Sequence, residues 1–238
     1  MHDRKIGLDL NHANLVMKEL GRFHASSLLF EETLAPKTIP ESFDYFDELW
    51  LDPDNAAFPM FEKMMASFAE GAIKVLQPLD TYKQCVKWLS ANKGNMGKFF
   101  AEGTQPGRKF NVLAHGDSWT NNILFKYNDD NIPVDMRFVD LQCSRKSSPA
   151  ADIVYFFYSS LNGDTRTKHF QKMLYTYYQS FSKVLIFARR KVPFTFKELL
   201  DEVENRKIFG LVSGMMLIQG ILFAEGDEIW DLDDYKRK

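Results

Sequence analysis

The chain has 238 residues, of which 45% are hydrophobic and 26% are charged, a composition typical of a single globular unit. Its 30 lysine and arginine residues nearly balance its 32 aspartate and glutamate residues, for a formal net charge of −2, so the basic excess of nucleic-acid-binding proteins is missing. Cys85 and Cys143 form no disulfide framework and the charged start lacks the apolar core of a signal peptide, so we expect a cytoplasmic protein without a nucleic-acid partner.

The first part of the chain predicts helices separated by loops. Residues 7–30 carry apolar side chains every three or four positions, which indicates an amphipathic helix. On its apolar stripe we expect His24 to be a hydrogen-bonded core residue rather than a ligand. The following segments are a proline-rich connector at 31–55, helices at 58–76 and 78–93, and a glycine-containing loop at 94–109.

Residues 110–139 predict a β-hairpin that carries a polar loop. A short apolar run from Phe110 enters the loop His-Gly-Asp-Ser-Trp-Thr-Asn-Asn at 115–122, and two further apolar runs flank a polar turn centred near Asn131. Asn122 and Asp140 are equally far from that centre in sequence. Antiparallel pairing is therefore expected to place them side by side, directly under the loop.

Three side chains of this segment suit phosphoryl transfer. The carboxylate of Asp140 and the amide of Asn122 offer hard oxygen ligands for magnesium, and the separate carboxylate of Asp117 can accept a hydroxyl proton. Each also has an ordinary structural alternative. Asn122 and Asp140 could form Asx turns at strand ends, and Asp117 could be a turn residue after Gly116.

The spacing of His115, Asp117 and Asn122, followed by a strand and then Asp140, resembles the catalytic core of the protein-kinase-like superfamily. The motifs HGDSWTNN, RFVDLQ and PAADI more specifically resemble the ecdysteroid kinase-like family, also called CHK kinase-like, which is related to choline and aminoglycoside kinases. The resemblance extends from about residue 3 to residue 224, but it covers only the C-terminal lobe of that family's fold.

The resemblance implies ATP- and magnesium-dependent phosphorylation of a hydroxyl group. It assigns Asp117 as the catalytic base and Asn122 and Asp140 as the magnesium ligands, with no further ATP-binding residue visible. Pro149 follows Asp140 after only nine positions, which is short for an activation loop ordered by phosphorylation. The expected acceptor is therefore a small molecule, such as a steroid or another lipophilic alcohol, rather than a protein.

Supporting roles are implied for three more residues. His115 is expected to hold the loop by packing and hydrogen bonding rather than to shuttle protons. Asp152 is expected to accept backbone N–H groups of the loop while it starts a buried helix, although a plain N-cap is the structural alternative. Trp119 either contacts an apolar substrate or wedges the loop against a helix, and the sequence leaves both open.

The C-terminal part predicts further helices. A long helix is expected at 167–190, and a capping box at 195–198 starts the next helix, which reaches about Lys207. Residues 208–224 are uncharged and contain a Gly-x-x-x-Gly spacing, but they are short for a membrane span and include polar side chains. We therefore expect a buried helix and no membrane partner, followed by a charged tail at 227–238.

Together these patterns predict an α+β chain that is predominantly helical. Residues 1–226 would form a kinase-like C-terminal lobe with a small hairpin carrying the catalytic loop, whereas the N-terminal lobe that covers the phosphates has no visible counterpart. The chain alone is then expected to turn over ATP weakly or not at all, as a truncated gene product would. The alternative is a non-catalytic binding or regulatory module. The oligomeric state is left open.

Overall fold

Helices dominate the structure, a computed structural model that describes residues 6–43 and 51–222. The α-helices are α1 (Leu10–Thr33), α2 (Ile39–Ser42), α3 (Phe58–Leu76), α4 (Lys83–Asn92), α5 (Met96–Thr104), α6 (Pro149–Ser160), α7 (Gly163–Phe187), α8 (Phe196–Asn205) and α9 (Lys207–Leu222). The β-strands are β1 (Val112–Ala114), β2 (Ile123–Tyr127), β3 (Pro133–Phe138) and β4 (Arg145–Ser147). The predicted class, α+β and predominantly helical, is confirmed.

The long helices α1 and α7 form the centre of the core and pack along much of their lengths. Each helix places apolar side chains in the core, and Met17 and Leu20 on α1 and Leu174 and Phe181 on α7 are fully buried. Burial of each such side chain contributes roughly 1.5–3 kcal/mol. The predicted amphipathic helix at 7–30 is therefore confirmed as α1.

Helix α6 is buried on nearly every side and packs mainly against α9. Ser148 caps its N-terminus, because the Ser148 hydroxyl accepts a hydrogen bond from the Ala150 N–H at 3.2 Å. Pro149 occupies the first turn, where a missing N–H leaves no backbone partner unsatisfied. A helix that is enclosed all round can be apolar all round, and this explains the continuous apolar run after Asp152.

The strands form two separate antiparallel pairs rather than one sheet. β2 pairs with β3 as the predicted hairpin, with Ile123 opposite Phe138 and Phe125 opposite Met136. β1 pairs with β4, a short strand that the sequence patterns did not predict. The loop at 115–122 therefore leaves one strand pair and enters the other.

The prediction that residues 94–109 form a loop is wrong for α5. Met96 and Phe100 lie one turn apart on its buried face, so packing in the core stabilises the helix despite its glycines. Gly103 is needed for close approach rather than for a turn, since a Cβ atom there would lie 2.3 Å from the ring of Phe209 in α9. Tertiary contact thus outweighs the weak helix propensity of glycine.

Several helix ends differ from their predicted positions. α4 begins at Lys83 rather than at residue 78, since a short 3₁₀ turn precedes it. α7 begins at Gly163 rather than at residue 167, because the Asn162 side chain accepts a hydrogen bond from the Thr165 N–H at 2.8 Å and caps the helix earlier. The capping box at 195–198 is confirmed at the start of α8.

The apolar segment predicted at 208–224 corresponds to α9. Phe209 and Val212 are buried in the core, and the buried Ser213 hydroxyl donates a hydrogen bond to the Phe209 backbone oxygen. Among the helices that the structure describes, none has the length and apolarity needed to cross a membrane. The last two residues of the predicted segment, the charged tail at 227–238 and residues 44–50 of the connector lie outside the described residues.

Candidate active site

The segment His115–Asn122, called the HGD loop from here on, connects β1 to β2. Its turn depends on Gly116, whose φ of +82° lies in the left-handed region that favours glycine. A Cβ atom at this position would lie 1.9 Å from the backbone oxygen of Cys143. The loop therefore folds tightly over the end of the β3–β4 connection, and its path requires glycine.

The carboxylate of Asp152 holds the backbone of the HGD loop. One oxygen, Oδ2, accepts the His115 N–H at 2.6 Å, and the other, Oδ1, accepts the Gly116 N–H at 2.9 Å. The Ser118 hydroxyl donates to the backbone oxygen of Asp152 at 3.1 Å. Because Asp152 belongs to the buried helix α6, the loop is tied to the core at the turn that presents Asp117.

A buried histidine and a buried tyrosine complete the surroundings of Asp152. The Nε2 atom of His24 lies 3.0 Å from Asp152 Oδ2, and its Nδ1 atom lies 2.8 Å from the Tyr177 hydroxyl. Burial by itself acts to raise the pKa of Asp152, but the contacts with His24, with His115 and with the Gly116 N–H together outweigh burial, and the pKa is lowered. Burial and the charge of Asp152 raise the pKa of Tyr177. The prediction that His24 is a hydrogen-bonded core residue is confirmed.

Each oxygen of the Asp117 carboxylate accepts one side-chain hydrogen bond. The Tyr155 hydroxyl donates to Oδ1 at 2.5 Å, and the Asn122 amide nitrogen donates to Oδ2 at 2.7 Å. The same amide nitrogen also donates to the backbone oxygen of Asp117 at 2.9 Å. The amide oxygen of Asn122 is consequently the atom turned away from Asp117.

His115 ties the HGD loop to the end of β3. A carbonyl oxygen can only accept, so Nε2 donates to the backbone oxygen of Val139 at 3.0 Å. The other nitrogen, Nδ1, accepts the Asp117 N–H at 3.3 Å. The ring is fully buried and lies against Phe138, with ring centroids 5.1 Å apart. Both ring nitrogens are thus used by backbone groups that shape the loop.

The expected pairing of Asn122 with Asp140 is wrong by one residue. Ile123 lies opposite Phe138, and the Val139 N–H donates to the Asn122 backbone oxygen at 3.0 Å, so Val139 faces Asn122. Tyr127 lies opposite Pro133, so the turn is centred at residue 130 rather than at 131. A bulge between Lys126 and Tyr127 then shifts the pairing by one residue, from 138 to Val139.

Asp140 lies just beyond the end of β3, outside the regular strand. Its φ of +64° is left-handed, so strand alternation does not set the direction of its side chain. The carboxylate is exposed and accepts a hydrogen bond from Gln142 at 3.2 Å.

The donor atoms at this end of the hairpin fit magnesium in type. Magnesium is usually held by one or two protein oxygen ligands together with substrate phosphates. In the described ranges, no group of three or more His, Cys, Asp and Glu side chains is placed to hold a metal ion by itself. Asn122 and Asp140 therefore suit a site in which one or two protein oxygens share the magnesium ion with substrate phosphates. Their role as ligands stays a prediction.

Trp119 is half-buried and packs against the hydrophobic core. This contact matches the wedge alternative, in which the ring fixes the loop, while contact with a substrate stays a prediction. Its backbone takes part in the loop as well, since the Trp119 N–H donates to the Asp117 oxygen at 3.0 Å. The packing of the ring and this backbone hydrogen bond both help to hold the loop in place.

A cleft of about 1100 Å³ lies between α3, α5 and β4. Its wall includes apolar side chains such as Phe58 and charged ones such as Glu62 and Lys146. Arg145 links the cleft to the loop, because it pairs with Ala114 at the end of β1 and lies against Gly116.

Tyr155, Tyr177 and Arg145 are residues near the loop that sequence patterns did not single out. Tyr155 had a local signal, since it follows Asp152 by three positions and so shares a helix face with it. Tyr177 and Arg145 reach the site only through long-range packing, for which a single sequence carries no sign.

The order of the strand, the HGD loop, the hairpin and Asp140 is typical of kinase-like phosphotransferases. A model of the ecdysteroid kinase-like family matches residues 1–188. The chain therefore belongs to the ecdysteroid kinase-like family, and the predicted resemblance is confirmed. Membership indicates a kinase-like phosphotransferase that acts on small molecules. No curated protein and no solved structure gives a significant match.

Proposed function

We propose that the chain forms the catalytic part of a kinase that transfers the γ-phosphoryl group of ATP to a hydroxyl of a small molecule. The observation that carries this proposal is the Asp117 carboxylate, fixed by Tyr155 and Asn122 at the open end of the hairpin. In this proposal residues 1–226 correspond to the C-terminal lobe of the kinase-like fold, and residues 227–238 to a tail.

Asp117 is the general base of the proposed reaction. An ionised carboxylate has about four acceptor positions, and Tyr155 and Asn122 occupy one on each oxygen, which leaves positions for the acceptor hydroxyl. As the acceptor oxygen bonds to the γ-phosphorus, the bond to the bridging β–γ oxygen breaks, ADP leaves, and Asp117 takes the hydroxyl proton.

The proposed metal ligands are the amide oxygen of Asn122 and the carboxylate of Asp140. Magnesium held there supplies positive charge against the phosphates. The amide nitrogen of Asn122 donates to Asp117, so one side chain connects the base to the metal position. Loss of Asn122 is therefore expected to disturb both.

The cleft beside Arg145 is the proposed acceptor site. Its volume of about 1100 Å³ is slightly above the usual range of ligand pockets, roughly 300–1000 Å³. Phe58 and Ala101 supply apolar surface, while Glu62 and Lys146 supply polar groups. This mixture suits a lipophilic alcohol that also carries polar substituents, such as a steroid.

The decisive experiment compares wild type with Asp117→Asn in the full-length gene product. We expect ATP- and magnesium-dependent phosphorylation of hydroxylated small molecules, and a loss of roughly 100-fold or more in kcat for Asp117→Asn. Asp135→Asn is the matched control, since Asp135 is on the hairpin but pairs with Arg137. Full activity in Asp117→Asn would overturn the assignment of the base.

The competing proposal is a non-catalytic binding or regulatory module. It predicts binding of a small molecule without phosphate transfer in the full-length gene product. Saturable binding of a small molecule without transfer of phosphate from ATP would favour this module over the kinase.

A further inference from the structure

We propose that Tyr155 is a positioning residue that holds the Asp117 carboxylate in the orientation needed to receive the acceptor proton. This inference rests on the proposed function, since it assigns Tyr155 a task in that reaction. It is carried by the 2.5 Å hydrogen bond from the Tyr155 hydroxyl to Asp117 Oδ1.

Helix α6 approaches the HGD loop with two side chains from one face. Asp152 and Tyr155 are three positions apart, so they lie on the same side of the helix. Asp152 holds the backbone N–H groups of His115 and Gly116. Tyr155 holds the reactive carboxylate itself. One rigid, buried helix therefore determines both the path of the loop and the orientation of Asp117.

The tyrosine ring is itself fixed in the core. Tyr155 is only 3% exposed, and its ring lies 6.1 Å from the ring of Phe209 between centroids. Burial raises the pKa of Tyr155 well above its ordinary value, and the neighbouring charge and hydrogen bond of Asp117 raise it further. The hydroxyl consequently keeps its proton and remains a donor to Asp117.

Two donors on opposite oxygens restrict rotation of the Asp117 carboxylate. Asn122 donates to Oδ2 while Tyr155 donates to Oδ1, so rotation about the Cβ–Cγ bond breaks both hydrogen bonds. Without the Tyr155 hydroxyl, Asn122 alone holds the group. The acceptor still binds, but its hydroxyl is aligned with the base less often, and a small misalignment can lower the rate by about 100-fold.

Tyr155→Phe tests this role because it keeps the ring and removes only the hydroxyl. Tyr178→Phe is the matched control, since the Tyr178 hydroxyl donates to the backbone oxygen of Phe194 rather than to Asp117 or to a residue that contacts Asp152. Steady-state kinetics in the full-length gene product is expected to show kcat lowered roughly 10- to 100-fold in Tyr155→Phe, with the acceptor KM within about twofold. Tyr178→Phe is expected to keep most of its kcat.

A second measurement is independent of turnover. In protein labelled with ¹³C at the tyrosine Cζ positions, Asp117→Asn is expected to move the Tyr155 resonance and leave the Tyr177 resonance in place, because only Tyr155 contacts the altered group. An unchanged Tyr155 resonance would overturn the pairing. If the resonance moves but the wild-type protein transfers no phosphate, the pairing stands and the proposed function fails.

The kinetic outcomes separate a positioning role from a structural one. An unchanged kcat in Tyr155→Phe would overturn the proposal. An equal loss of kcat in Tyr178→Phe would overturn it as well, since removal of a tyrosine hydroxyl that does not contact Asp117 would then have the same effect. A raised acceptor KM with unchanged kcat would instead assign Tyr155 to binding.

Discussion

His24 and Asp152 form a fully buried pair, with Nε2 and Oδ2 separated by 3.0 Å, although 128 positions separate them in sequence. Through this pair, α1 supports the carboxylate that holds the HGD loop. The position of Asp117 therefore depends on a hydrogen bond that joins α1 to α6.

Replacement of His24 by Ala is expected to destabilise the fold strongly. The change removes the hydrogen bond between His24 and the buried Asp152 carboxylate, and it also removes the hydrogen bond between His24 and the Tyr177 hydroxyl. A buried group left without a hydrogen-bond partner costs about 1–3 kcal/mol, and more when the group is charged, as the Asp152 carboxylate is. Urea unfolding measures this change, with His169→Ala as the control on α7. A loss below about 1 kcal/mol in His24→Ala would contradict the structural role of the pair.

The pH dependence of stability is expected to reflect the lowered pKa of Asp152. A carboxyl whose pKa is lower in the folded than in the unfolded chain contributes stability above its unfolded pKa, and this contribution is lost as the pH falls through the folded pKa. Asp152→Asn should therefore be less stable than wild type at neutral pH, and the difference should shrink below about pH 4. Thermal unfolding from acid to neutral pH measures it. A difference that stays constant would argue against the lowered pKa.

Gly116→Ala is expected to distort the HGD loop. The left-handed φ of +82° and the close approach of the Cys143 oxygen leave no room for a Cβ atom. The strained backbone alone costs about 1–3 kcal/mol. Gly94→Ala is the control, because no atom lies within 4 Å of a Cβ at that position. Urea unfolding should show a clear loss only in Gly116→Ala, and equal losses in both would contradict the requirement for glycine at the loop.

Asp140→Asn is expected to weaken metal binding to the nucleotide complex. Removal of one carboxylate from a site with few protein ligands should raise the magnesium concentration for half-maximal activity by about tenfold or more. Manganese binding, followed by electron paramagnetic resonance, provides a readout apart from activity. Asp135→Asn on the outer hairpin should leave both unchanged. The assignment of Asp140 fails if its replacement has no larger effect than that of Asp135.

Local features of the chain were sufficient to predict the HGD loop, the β2–β3 hairpin and the capping box at 195–198. Each depends on residues close in sequence: a turn cluster between apolar runs, or a side chain that bonds to a backbone N–H three positions away. The sequence alone also indicated the family, because the residues that carry the resemblance are concentrated in 115–153. A single sequence is enough to identify these local patterns, because none of them depends on contacts between residues far apart in the chain.

The tertiary structure alone decided the register, α5 and the support of Asp117. Tyr127 pairs with Pro133, so the turn is centred at residue 130 rather than at 131, and a bulge between Lys126 and Tyr127 then brings Val139 opposite Asn122. A bulge has no reliable sequence sign. Gly103 by itself predicts a loop, whereas in the structure it lies in α5 and allows the close approach of Phe209. The Tyr155 and His24 contacts join helices far apart in the chain. Such contacts depend on how helices pack, which local periodicity does not determine.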